Sequence, residues 1–161
     1  PKNISGLAGR AARFGRALVF ATGFVGGRRV TLLLDRQQRD ELIGQAVAVA
    51  PAEACGILAG QNGVVKKVYK LNNVSATPEL CYLMDSSEQF RVMKELRVAG
   101  LEMVGIYHSH AASPAYPSAK DVELAFYPEA FYVIISLRLP LSPEVRAFRI
   151  QAGEIIEEAV I

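Results

Sequence analysis

The sequence predicts an α+β fold, a sandwich in which a mainly antiparallel, curved sheet is flanked by helices. Three observations predict it. Short apolar runs of strand length are interspersed with two longer segments of helical periodicity. The dipeptide Asn62-Gly63, set between two such runs, is a strong hairpin signal. A chain of 161 residues that is 51% hydrophobic and 21% charged has the make-up of a packed globule, not of a disordered, collagen-like or coiled-coil chain.

The elements follow in order. Residues 30–34 read as a first strand, and Asp35 as the N-cap of a helix that runs to about residue 50, where Pro51 stops it. Leu42, Ile43, Ala46, Val47 and Val49 give that helix a broad apolar face. Residues 55–59 and 64–71 read as antiparallel strands joined by Gly60-Gln61-Asn62-Gly63. Residues 72–79 are polar and turn-rich and form a loop. Residues 80–84 read as a short strand, after which Asp85-Ser86-Ser87-Glu88 opens a second helix that Gly100 ends. Phe90, Met93, Leu96 and Leu101 keep roughly helical spacing there.

Residues 101–107 are too apolar for an exposed strand and read as a buried one. Pro117 precedes a short helix over residues 118–126. Residues 131–137 and 145–150 are further strands, and residues 154–161 an edge strand or a fraying end. A domain of this length buries about 70% of its unfolded surface and needs no disulfide framework. Cys55 and Cys81 permit one bridge at most, a usage that leans towards a reducing, cytoplasmic setting.

The net charge of +2 carries no commitment to nucleic acid or to any strongly charged partner. It also hides an asymmetry. Residues 1–40 hold eight basic and two acidic residues, whereas residues 41–161 hold ten and fourteen. Residues 1–28 are therefore expected to be a basic, flexible N-terminal extension, with the folded domain over 29–161. Residues 17–27, preceded by Arg10, Arg13 and Arg16, have the outline of a secretory signal, but Gly23, Gly26, Gly27 and the following Arg28-Arg29 count against it. No stretch reaches the ~18 to 20 apolar residues of a membrane span.

Chemistry concentrates in one segment. The only two histidines stand two apart as His108-Ser109-His110, and in extended backbone alternate residues face one side. Both imidazoles can therefore point at one ion. Ser118 and Asp121 follow, and a helix that starts near Ser118 places both on one face. Two histidines and a carboxylate are the protein ligands of an open catalytic zinc site, whose fourth position holds water. Zinc makes that water acidic and polarises a carbonyl. Glu53, between Pro51 and an apolar strand, is an odd place for a solvated charge and suits a general base. Ser118 beside the metal can donate a hydrogen bond to an oxyanion. Each also has an ordinary reading: a hydrogen-bonded histidine pair, an N-cap serine, a loop acid.

The run Glu53-Ala54-Cys55-Gly56-Ile57-Leu58-Ala59-Gly60, followed by His108-Ser109-His110, seven residues, Ser118, two residues and Asp121, resembles the JAMM (MPN-plus) zinc metalloprotease family. The resemblance covers residues from about 30 to 150 and implies an MPN-type, cytidine-deaminase-like sandwich. It implies one Zn²⁺ per chain on His108, His110 and Asp121, with Glu53 as general acid/base and Ser118 as oxyanion stabiliser. It further implies hydrolysis of the amide or isopeptide bond after the C-terminal Gly-Gly of a ubiquitin-like or sulfur-carrier protein. The compact length is most similar to the small prokaryotic branch, with no nucleic-acid or membrane partner and a homodimer as an option.

One departure is Ala111, where such relatives usually carry Pro, a change expected to loosen the ligand loop without removing a catalytic group. Ser109 argues against the DNA-repair-associated relatives, which have H-N-H. The deaminase signature is absent. The competing reading from another class is a non-catalytic MPN-type scaffold. Cys55 reads as a buried small hydrophobe, and Cys81, beside the loop after the hairpin, as a candidate for substrate contact. The extended tail of a substrate would pair with an exposed strand edge, for which residues 72–84 and those after Asp121 are the candidates.

Overall fold

The computed structural model describes residues 31–161. The expected extension over 1–28, the signal-like segment and Val30 lie outside the described residues. The chain runs α1 (Arg36–Val49), β1 (Cys55–Gln61), β2 (Val64–Leu71), α2 (Ser86–Ala99), β3 (Glu102–His110), α3 (Ala119–Glu123), β4 (Phe131–Ser136), β5 (Glu144–Gln151) and β6 (Glu154–Glu158). The strands form one sheet in the order β2-β1-β3-β4-β5-β6. All neighbours pair antiparallel except β3 and β4. That one parallel pair arises because the chain leaves the end of β3, crosses through α3 and returns beside it.

Local chemistry places the helix ends. Asp35 and Gln38 form a reciprocal capping box at the start of α1, satisfying two of the helix's unpaired N–H groups. Asp85 accepts the N–H groups of Ser87 and Glu88, and Gly100 closes α2 in the left-handed region at φ 66°. The β1–β2 hairpin turns at Asn62 and Gly63, both with positive φ, which Asn and Gly tolerate at little steric cost.

The two long helices cover opposite faces of the sheet. On one side Leu42 and Ala46 of α1 pack with Leu58, Tyr107, Phe131, Val133, Ile135 and Ala147. On the other, Val92 and Leu96 of α2 pack with Cys55, Ile57, Ile106, Tyr132, Ile134 and Phe148. Burying each large apolar side chain of these clusters contributes about 1.5–3 kcal/mol. Alternation along β3 puts Tyr107 on the α1 side and Ile106 on the α2 side, so His108 and His110 continue the α2 face. Tyr107 extends its hydroxyl to Gln45 Oε1 at 2.6 Å, tying α1 to the central strand. Gly56 lets β1 fit between its neighbours, because a Cβ there would strike the Tyr69 carbonyl and the Tyr107 ring.

Several expectations are corrected. Of the strand expected over residues 30–34, the described residues 31–34 form no strand and contribute only the bridges Leu32 to Val160 and Leu33 to Val64. Residues 80–84 likewise contribute a single bridge, Met84 to Asn73, because the segment folds back on Asn73 rather than extending along the sheet. The third helix ends at Glu123, short of residue 126, and β3 continues through both histidines to His110. The buried arcs of the helices also differ. Val47, Val49, Phe90 and Met93 are exposed, while Val92, outside the expected apolar arc, is buried. Residues 154–158 are an edge strand, as one of the two readings had it. Cys55 and Cys81 are both free thiols, Cys55 buried and Cys81 half-buried. No helix among the described residues is long and apolar enough to cross a membrane.

Candidate active site

Strand order brings the predicted residues together. β1 lies beside β3 with Cys55 opposite His108, so the residues just before Cys55 run alongside Ser109 and His110. Ser109 fixes that approach with two hydrogen bonds: its Oγ accepts the Ala54 N–H at 2.8 Å, and its own N–H donates to the Ala54 carbonyl at 3.0 Å. Glu53, next in the chain, is thereby delivered to the histidines from 55 residues away in sequence. It is 6% exposed.

Asp121 arrives from the other direction. Ser118 caps α3 by accepting the Asp121 N–H at 3.2 Å, and the Asp121 carboxylate accepts the Ser118 N–H at 2.7 Å. The N-cap reading of Ser118 is therefore realised. The capping box also locks the carboxylate in place, and the Ser118 O–H is not the donor in either bond.

His108, His110 and Asp121 each offer a donor atom within 4.8 Å of the others. The two Nε2 atoms stand 3.1 Å apart. Asp121 Oδ1 is 3.2 Å from His108 Nε2, and Oδ2 is 3.6 Å from His110 Nε2. Three atoms bound to one zinc at about 2.0–2.2 Å in tetrahedral geometry stand roughly 3.3–3.5 Å apart, so these separations suit a common ion. His110 Nδ1 lies 2.8 Å from the Pro114 carbonyl. A proton donated there leaves Nε2 with its lone pair facing the cluster, the arrangement a metal-binding imidazole needs. Two imidazole lone pairs and a carboxylate turned on one point repel unless a cation or protons lie between them.

The electrostatics agree. Burial disfavours the ionised form of Asp121, but with protons rather than a cation between the groups, hydrogen bonds donated by His108, His110 and Ser118 outweigh it and hold the carboxyl well below its usual range. Burial works against a charged His110, and its contacts with Asp121 and Pro114 turn the net shift upward. Burial raises the Glu53 carboxyl above its ordinary value, with His108 and His110 pulling against that rise. Glu53 Oε2 is buried without a hydrogen-bond partner, as is His108 Nδ1. A buried carboxylate oxygen without a hydrogen-bond partner, within electrostatic reach of the donor cluster, is a group whose protonation is open to change.

The loop between the second histidine and α3 is pinned despite Ala111. Ser136 Oγ donates to the Ser113 carbonyl at 2.6 Å, and Tyr116 packs edge-on against Phe148 at 5.5 Å between ring centroids. Cys55 is buried as expected, its thiol pushed up to about 12 chiefly by desolvation, which makes it a poor nucleophile. Cys81 Sγ lies 3.1 Å from Ser75 Oγ. Two residues not singled out in the sequence enter the site's surroundings. Tyr82 stacks on the His108 ring at 4.7 Å and 23°, and Asn73 bonds to the Glu53 carbonyl at 3.0 Å. No local pattern marks either, since their partners are 26 and 20 residues away.

Comparison with known proteins gives consistent matches. The family described as prokaryotic homologs of the JAB domain matches residues 35–151. A CysO-cysteine peptidase of Mycobacterium tuberculosis (strain H37Rv) is 41% identical over 128 residues, spanning 76% of this chain and 87% of the relative. A desampylase of Haloferax volcanii is 37% identical over 111 residues, spanning 65% and 80%. Among solved structures, protein DSY2949 from Desulfitobacterium hafniense superposes with a TM-score of 0.73 at 40% identity, covering 81% of this chain and 91% of that one.

Proposed function

The chain belongs to the prokaryotic JAB-domain family, and from that premise we propose that it is a zinc-dependent peptidase or isopeptidase. Its reaction is hydrolysis of the amide bond after the C-terminal Gly-Gly of a ubiquitin-like or sulfur-carrier protein. The observation that carries the reading is the convergence of His108 Nε2, His110 Nε2 and an Asp121 oxygen on one point, with the buried, unbonded Glu53 carboxyl within electrostatic reach of all three. His108, His110 and Asp121 would hold the ion. Zinc bound there supplies Lewis acidity, polarising the scissile carbonyl and making water acidic.

Glu53 accepts the proton of the attacking water and returns it to the departing amine. The raised affinity of its carboxyl for protons suits both halves of that transfer. Ser118, through its uncommitted O–H, donates to the oxygen on which negative charge develops. A Gly-Gly tail suits the site because backbone without side chains can pass close to the reacting centre. The names of the two relatives support a substrate of the sulfur-carrier or ubiquitin-like class. The two free thiols accord with a cytoplasmic setting. The test is metal removal: the purified protein should contain one zinc per chain, lose cleavage of a Gly-Gly-linked substrate on chelation, and regain it when zinc is restored. Protein that takes up no zinc and cleaves no such substrate would refute the reading.

A further inference from the structure

The Glu53 side chain makes no hydrogen bond that fixes its Oε2, so the direction of the carboxyl group depends on how its backbone is held. Both backbone groups of Glu53 are bound by the loop over residues 72–84. Its N–H donates to the Pro78 carbonyl at 2.7 Å, and its carbonyl accepts Asn73 Nδ2 at 3.0 Å.

The Asn73 amide also closes the loop that supplies the other contact. Its Nδ2 faces the Pro78 and Cys81 carbonyls at 3.4 and 3.3 Å. Its Oδ1 accepts the N–H groups of Ser75 and Leu83, both at 3.0 Å. One side chain thus spends its donors and its acceptor on joining both ends of the loop to the Glu53 backbone. The same loop carries Tyr82, whose ring forms a wall on His108.

We infer that Asn73 is a positioning residue for the reaction: its amide holds Glu53 at the height where the unbonded carboxylate faces the histidine–aspartate cluster. This rests on the proposed hydrolytic role of Glu53. Asn73 touches neither the reacting atoms nor the donor cluster, so its removal should slow turnover without releasing metal. Asn73→Asp keeps the shape and both acceptor bonds but removes the donors to Glu53, Pro78 and Cys81.

The experiment compares zinc-loaded wild type with Asn73→Asp and Asn73→Ala by steady-state kinetics, zinc content and amide hydrogen exchange. In both variants kcat should fall roughly 10- to 100-fold, the range expected when a catalytic group is misplaced by about an ångström, with KM and zinc content within about twofold of wild type. Exchange at the Glu53 amide should accelerate by about tenfold or more while the Ala54 amide, held by Ser109, keeps its protection. Unchanged kcat, or a loss of kcat matched by loss of zinc, would overturn the inference. So would unchanged protection of the Glu53 amide, a readout that needs no turnover. A wild type that cleaves nothing refutes the hydrolytic reading instead, and exchange still decides whether Asn73 anchors Glu53.

Discussion

Ser109 and Ala54 exchange two hydrogen bonds across 55 residues of sequence, the Ser109 hydroxyl accepting the Ala54 N–H and the Ser109 N–H donating to the Ala54 carbonyl. The serine between the two histidines is thereby the clamp that sets Glu53 beside them. Its 1% exposure leaves the bonded groups no water to turn to. Replacing Ser109 with Ala should leave the Ala54 N–H unsatisfied and destabilise the fold by about 1–3 kcal/mol, while Ser109→Thr keeps the hydroxyl and restores most of it. Urea unfolding of the two variants measures the difference.

Glu53 and His108 separate the two halves of the chemistry. Glu53→Gln preserves size but cannot take a proton, so turnover should drop by about 10²- to 10⁴-fold with zinc retained. His108→Ala should lose the metal together with the activity. Metal analysis beside kinetics checks both, and full activity in Glu53→Gln would exclude Glu53 as the base.

The two thiols should differ in reactivity. Burial pushes the Cys55 thiol up to about 12, so at pH 8 it should remain a buried thiol and native protein should take up one equivalent of iodoacetamide, at Cys81. Denatured protein should take up two. The folded-state value lies above the unfolded one, so the folded chain binds more protons between the two. The stability that protonated Cys55 contributes is therefore full below about pH 9 and is lost as pH rises towards 12. Burial raises Tyr82 and Tyr107 in the same direction, so unfolding midpoints should fall through the alkaline range.

Gly56 offers a test of the fold alone. A methyl group there meets the Tyr69 carbonyl and the Tyr107 ring, neither of which can move without disturbing β2 or the Tyr107–Gln45 bond. Gly56→Ala should cost about 1–3 kcal/mol from overpacking, whereas Gly44→Ala, facing open space on α1, should be neutral or stabilising. Thermal unfolding distinguishes them.

Much of the architecture was legible in local chemistry. Asp35, Asp85 and Gly100 mark helix ends because capping is decided within a turn of the chain, and Asn62-Gly63 marks the hairpin because few residues accept its φ values. The helix faces were less legible: Val47 and Phe90 keep apolar spacing, but spacing does not say which arc meets the sheet. Residues 80–84 have strand composition yet fold onto the Asn73 side chain. The parallel pairing of β3 with β4 depends on the α3 crossover, which no local run announces. At the site, the histidines, Ser118 and Asp121 stood out because their spacing is short. Glu53 stood out because a charge before a buried strand needs a reason. Asn73 and Tyr82 stayed hidden because they act on a distant backbone carbonyl and a distant ring.

The central claim is tested most directly by incubating the zinc-loaded protein with ubiquitin-like and sulfur-carrier proteins bearing extensions beyond their C-terminal Gly-Gly, and reading the products by intact mass. The predicted result is a carrier ending at the second glycine, with the extension released, in wild type and not in Glu53→Gln. Cleavage at any other position, or equal cleavage by the Glu53 variant, would contradict it.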